Sequence, residues 1–231
     1  MKTTKEAKDK ALIQPCEIEY DLYSIFNKED KITIADIGAC DGLSTIQYSR
    51  LFPNSYILAF EPRQDNYREC IENFKEYGID KRVSIFNACL GEKKGKTKFW
   101  ISSGQHEDVK DWDTGNKSSS IYPPKRHIQE HPWCKFKMDR FEMNTLDSYR
   151  FRNIKFIHID VQGAELNVFK GATETLKSVK AVWAEVAAIE LYKGQPLKDE
   201  VIEFMREQGF FVAKDTCTNK YGDCLFVRKN G

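Results

Sequence analysis

The run Ile32-Thr33-Ile34-Ala35-Asp36-Ile37-Gly38-Ala39-Cys40-Asp41-Gly42 constrains this chain more than any other segment. A continuous apolar stretch that ends in Asp-x-Gly-x-x-x-Gly reads as a buried strand turning sharply into a helix. Glycines there accept positive φ and let ligand atoms approach the backbone, while the new helix offers unpaired N–H groups. A second apolar run, Tyr56 to Phe60, ends in Glu61, a position from which a carboxylate accepts both hydrogen bonds of a ribose diol. The pair predicts a nucleoside site in the first strand-helix-strand crossover.

The glycine spacing selects the nucleoside. A dinucleotide fingerprint needs Gly-x-Gly-x-x-Gly so that the loop hugs a pyrophosphate. Counting from Gly38, the second and third glycine positions hold Cys40 and Leu43. S-adenosylmethionine has a ribose but no phosphate, so the pattern favours it over NAD. Two alternatives stay open: a nicotinamide-dependent oxidoreductase using Glu61 for the same ribose contact, and a relative of the fold that binds a nucleoside without chemistry.

The 231 residues suit one α/β domain spanning 1–231, with an N-terminal helical cap over 1–30 and an inserted lid or substrate wall over 102–137. Lys and Arg number 36 against 35 Asp and Glu, a net charge of +1, so no global field draws in nucleic acid or anionic lipid. No apolar run approaches the roughly 18 residues of a membrane span, and Met1 to Gln14 is polar rather than a signal sequence. The seven cysteines are odd in number and lack Cys-x-x-Cys spacing. Reduced, mostly buried thiols and a cytoplasmic location are expected.

Residues 5–27 suggest one or two short helices broken near Pro15. From Lys31 the chain alternates: strand to Ile37, helix Leu43 to Leu51, strand Tyr56 to Phe60, helix Asn66 to Tyr77, strand Val83 to Asn87. Such alternation implies right-handed βαβ units and a parallel sheet. Lys96 to Ile101 reads as an extra hairpin strand, followed by an irregular stretch from Ser102 to Lys137 that is too aromatic for simple disorder. Parallel order is expected to resume with strands at Phe141 to Leu146 and Ile154 to Val161, a helix from Ala164 to Leu176 and a strand from Ala181 to Val186. Helix Leu197 to Gln208 and strands Phe210 to Ala213 and Cys224 to Val227 close the chain, with a turn at Lys220 to Asp223 making an antiparallel edge hairpin.

Asp160 ends one of these strands, at the carboxyl edge where open α/β sheets bind ligands. Glu185 ends the neighbouring strand, and His158 precedes Asp160 by two residues, on the same face. These three are the candidates for orienting a hydroxyl or taking its proton. Trp112, Asn116, Ser118, Ser119 and Ser120 in the long loop are candidate acceptor contacts.

With Asp36 to Gly42, Ala59-Phe60-Glu61-Pro62, Asn87-Ala88 and His158-Ile159-Asp160-Val161-Gln162-Gly163-Ala164-Glu165, the sequence resembles the FkbM-type family of S-adenosylmethionine-dependent methyltransferases. Ser118 to Ser120, Thr145-Leu146-Asp147, Gly171-Ala172, Glu185-Val186, Leu191-Tyr192 and Gly209-Phe210 extend the likeness from Ile32 to about Val227. The resemblance implies a Rossmann-like class I methyltransferase fold: an α/β, mostly parallel seven-stranded sheet with an antiparallel edge hairpin and helices on both faces. It also implies transfer to a hydroxyl oxygen, commonly on sugars, lipids or secondary metabolites. Carried over by position, Gly38, Ala39, Cys40 and Gly42 meet the methionine end, Asp36 orients its ammonium, Glu61 holds the ribose and Asn87 with Ala88 reads the adenine. Asp160 belongs to both the cofactor and the acceptor sides. Cys40 stands where Asn is common in the family, and His158 where Lys is common.

No metal site is expected. His127, His131 and Cys134 have compatible spacing but no evident fourth ligand, and Asp160 with Glu185 reads as two strand-end carboxylates. Asp111-Trp112-Asp113 follows a polar turn rather than a strand. Ile121-Tyr122-Pro123-Pro124 is misplaced for the signature of enzymes that methylate the amino groups of bases, which favours oxygen over nitrogen.

Overall fold

The computed structural model describes residues 4–105 and 115–229. Helices α1 (Lys5–Ile13) and α2 (Glu19–Ile25) lead into β1 (Thr33–Ile37), α3 (Leu43–Leu51), β2 (Tyr56–Phe60), α4 (Gln64–Glu76) and β3 (Val83–Phe86). Then come β4 (Cys89–Leu90), β5 (Gly95–Ser103), α5 (His127–Glu130) and β6 (Lys135–Asn144). The chain closes with β7 (Ile154–Ile159), α6 (Glu165–Lys170), α7 (Thr173–Leu176), β8 (Ala181–Ala187), α8 (Lys198–Glu207), β9 (Phe210–Asp215) and β10 (Tyr221–Arg228).

Seven strands form the main sheet in the order β3-β2-β1-β7-β8-β10-β9. The first five are parallel, and β10 and β9 add an antiparallel edge. Strand alternation sorts the apolar residues into two cores. Ala35, Ile37, Leu58 and Phe60 pack with Leu166, Phe169 and Met205 on one face. Ile34, Ile57 and Phe156 meet Ile18, Leu22 and Tyr48 on the other. Ile18 and Leu22 are fully buried, and each contributes about 1.5–3 kcal/mol. The N-terminal helices are therefore part of the sheet's cover. Strand order reverses between β1 and β7, which opens a crevice at their carboxyl ends.

Three sequence expectations need correction. The strand placed at Phe141 to Leu146 is β6, which lies outside the main sheet: it pairs antiparallel with β5 and parallel with β4 in a three-stranded sheet. Its residues are mostly exposed or half-buried, a pattern that a sheet covered on both faces does not admit. The helix placed at Ala164 to Leu176 breaks at Gly171-Ala172 into α6 and α7; a Cβ on Gly171 would come within 2.1 Å of the Gly91 carbonyl oxygen. Of the turn placed at Lys220 to Asp223, Tyr221 to Asp223 already belong to β10, and Thr216 N donates to Asp223 O and Asp223 N to Thr216 Oγ1, so the reversal falls over 216–220. Part of the 102–137 segment is ordered by Trp100–Ser120 and Pro124–Tyr192 bridges and by α5. No helix among the described residues is long and apolar enough to cross a membrane.

Candidate active site

Beyond β1 the backbone takes left-handed conformations at Gly38 (φ +88°), Cys40 (+52°) and Gly42 (+82°). A Cβ on Gly38 would lie 1.9 Å from the Asp160 carbonyl oxygen, so only glycine fits against the end of β7. Gly38 N and Ala39 N both donate to Phe60 O, at 2.9 and 3.0 Å, which ties the turn to the end of β2. Cys40 N donates to Glu61 Oε2 at 3.0 Å and Arg63 N to Glu61 Oε1 at 2.8 Å. Even with both bonds, burial pushes the Glu61 carboxyl up to about 8. Each carboxylate oxygen thus has one backbone donor, and a diol could add one more to each.

A cavity of about 250 Å³ opens between this turn and the ends of β2 and β7. Gly38, Ala39, Cys40 and Glu61 line it at one side and His158, Asp160 and Gln162 at the other, with Phe60, Leu90 and Phe99 among its apolar walls. Asn116, Lys117 and Ser119 from the long loop also line it. Arg63, almost fully buried, anchors that loop: its Nη1 donates to Ser102 O at 2.6 Å and Ser119 Oγ at 3.1 Å. Asn116 Nδ2 donates to Asn66 Oδ1 at 2.9 Å, and Lys117 pairs with Asp41 at 3.1 Å.

Other residues singled out by sequence stand behind this lining. Asp36 has no exposed surface; its carboxylate bonds His158 Nδ1 at 2.7 Å, Ser44 Oγ at 2.8 Å and Thr45 Oγ1. Burial pushes the Asp36 carboxyl up, but the His158 charge and these bonds outweigh it and hold the group below the usual range. The same contact, against the pull of burial, raises the His158 imidazole. Asp36 therefore reaches the cavity through His158 and Ser44, both in its lining, and not by itself. Gly42 caps α3, where a Cβ would meet the Phe74 ring. Asn87 Nδ2 donates to Glu61 O and Pro62 O, both at 2.9 Å, and braces the turn outside the cavity, while Ala88 lines it. Ser118 N donates to Ser102 Oγ and Ser120 Oγ to Gln162 O, so both brace the loop. Trp112 lies outside the described residues, as do Asp111 and Asp113.

At the other end carboxyl groups gather. Glu185 sits behind Asp160, and Gln162 Nε2 donates to Asp160 Oδ1 at 2.8 Å and Glu185 Oε2 at 3.0 Å. One oxygen each from Asp160, Glu165 and Glu185 lie within 4.8 Å of one another, a spacing that a cation could bridge. Burial, then the neighbouring Asp160 charge, pushes Glu185 well above the usual range. Burial holds Glu165 at about 8, and Asp223, directly across from Glu185 on β10, at about 6. The His127 and His131 rings lie 4.7 Å apart, tilted by 43°, with Tyr192 packed against His127.

The profile of the methyltransferase FkbM domain matches residues 36–212, from the first carboxylate of the turn to the edge strand. The chain belongs to the FkbM methyltransferase family. Within curated relatives it is 32% identical over 188 residues to the 2-O-methyltransferase NoeI of Sinorhizobium fredii, covering 79% of this chain and 74% of the relative. It is 23% identical over 160 residues to Methyltransferase 1 of Beauveria bassiana, covering 64% of this chain and 61% of the relative. The fold is shared with precorrin-6y C5,15-methyltransferase from Geobacter metallireducens (TM-score 0.53, 13% identity, 99% of this chain and 94% of that one). It is shared too with the N-terminal domain of EvdMO1 with SAH bound (TM-score 0.54, 11% identity, 94% and 81%).

In this FkbM methyltransferase, sequence reasoning missed Arg63, Asn66, Lys117, Gln162 and Tyr192. Gln162 and Tyr192 sit inside quoted motifs and Arg63 directly follows one, which is the only signal they carry. Their partners lie 39 and 56 residues away for Arg63 and 23 for Gln162, so only folding reveals them.

Proposed function

We propose that this FkbM methyltransferase moves a methyl group from S-adenosylmethionine to a hydroxyl oxygen of a small molecule or glycan. The observation that carries the reading is the cavity itself, with the buried Glu61 at one end and Asp160 at the other. The 32% identical relative is named a 2-O-methyltransferase, which supports oxygen as the acceptor atom. When bound, the cofactor supplies a methyl group already activated on a sulfonium. Glu61 would hold the ribose diol, the backbone from Gly38 to Cys40 the amino-acid end, and Ala88 the adenine, with Asn87 steadying the turn. Asp36 and Gly42 would act from behind, through His158 and α3.

In the transfer the acceptor oxygen bonds to carbon as the sulfur–carbon bond breaks, and the hydroxyl proton must leave. Asp160 would receive it, with Glu185 and His158 shaping its charge. Most of the rate would come from alignment and exclusion of water. Asn116 and Ser119 would contact the acceptor at the cavity wall; Ser118, Ser120 and Trp112 belong to the same loop.

Calorimetry tests the cofactor. S-adenosylhomocysteine should bind at least tenfold more tightly than NAD, and Glu61→Ala should weaken it by about 30-fold, roughly 2 kcal/mol. Equal or tighter NAD binding reverses the reading. Labelled S-adenosylmethionine offered with a panel of saccharides and other hydroxylated compounds then tests the acceptor class, with label expected on oxygen.

A further inference from the structure

Gln162 follows Asp160 by two residues and has φ +55°, a left-handed conformation that is strained for any residue with a side chain. Its neighbour Gly163 (φ +90°) carries the rest of the turn into α6. A side chain kept at such a position, where glycine would be comfortable, points to a use for that side chain. Its polar atoms are engaged. Both Nε2 protons go to carboxylates, Asp160 Oδ1 and Glu185 Oε2. The Tyr192 hydroxyl lies 2.9 Å from Gln162 Oε1 and equally 2.9 Å from Ser118 O, and Ser120 Oγ donates 2.7 Å to the Gln162 carbonyl. One residue thus joins the strand-end acids to the loop that walls the cavity.

The chemistry of the amide matters as much as its place. A lysine there would add a charge and a glutamate would repel both neighbours, whereas an amide gives two donors and no charge. We propose that Gln162 is the positioning residue of the acceptor end: its amide fixes the orientation of Asp160 against Glu185, and through Tyr192 and Ser120 couples that geometry to the loop. This rests on the methyltransferase reading above, in which Asp160 faces the acceptor.

The groups around the Asp160–Glu185 pair are His158 on β7, Glu165 on α6, Asp223 on β10 and Tyr192. Carboxyl ¹³C NMR reads the pair directly, with the protein saturated with S-adenosylhomocysteine and resonances assigned by Asp160→Asn and Glu185→Gln. Gln162→Glu, nearly isosteric, should move the Glu185 titration further up, because a donor becomes a charge. S-adenosylhomocysteine affinity should stay within about threefold of wild type, since that ligand's nucleoside contacts lie at the other end. Tyr192→Phe, which frees the amide without touching the turn, should shift Glu185 in the same direction by less. If Gln162→Glu does not fold, Gln162→Gly suits φ +55° and, by removing a donor, should also raise Glu185. Titrations of Asp160 and Glu185 unchanged from wild type in the folded variants overturn the proposal. A wild-type protein that ignores S-adenosylhomocysteine strikes the methyltransferase reading instead, and the titrations remain readable in the free protein.

Discussion

Between the ends of β1 and β2 the cavity wall is mostly backbone: Gly38, Ala39 and Cys40 bonded to Phe60 O and to Glu61. At the end of β7 it is made by the side chains of His158, Asp160 and Gln162, with Glu185 and Glu165 drawn up behind Asp160 and the neutral Gln162 amide bonded to both Asp160 and Glu185. The first end depends on shape and the second on charge. A backbone wall fails through steric conflict, and a carboxylate wall through a change in protonation, so the two should break under different perturbations.

Gly38→Ala should give the largest effect, because its Cβ would overlap the Asp160 carbonyl at 1.9 Å where φ is +88°. We expect a loss of at least about 3 kcal/mol of stability in denaturant unfolding, with S-adenosylhomocysteine binding abolished. A Gly38→Ala protein of wild-type stability would remove the steric half of the contrast. Asp160→Asn should do the reverse, lowering turnover by about 100-fold while affinity for the demethylated cofactor changes less than about threefold. Comparable losses in both measurements would show the two ends to be one unit.

Stability against pH sharpens the contrast further. Glu61 and Glu165 sit near 8 in the folded chain against an ordinary 4.5. The folded state then holds protons that the unfolded chain releases, so their stabilising contribution is complete below about pH 4.5 and fades as pH rises through 8. Thermal unfolding of the free protein should shift downward over that window, by up to about 1.4 kcal/mol per pH unit for each proton. Glu165→Gln should flatten the profile, and a flat wild-type profile would contradict both shifts. The smallest effect belongs to Cys40, a non-glycine residue at φ +52°. Cys40→Asn should stabilise the turn by a few tenths of a kcal/mol, since Asn tolerates that conformation better; a lower melting temperature would mean that the thiol's packing near Asn66 matters more.

What the sequence determined by itself is the periodic and local part. Apolar runs bounded by glycine and a terminal acid placed β1, β2, β7 and β8, and with them Gly38, Glu61, Asp160 and Glu185 at one edge of a parallel sheet, because strand direction and alternation are local properties. The tertiary structure decided which side chains meet. Asp36 and His158 are 122 residues apart and bond across neighbouring strands, and Arg63 reaches a loop 56 residues on. The placement of β6 in a second sheet followed from pairing with β5, because a half-exposed amphipathic strand takes the partner that leaves its polar residues in water. Such contacts depend on register and burial, which no short window of residues encodes.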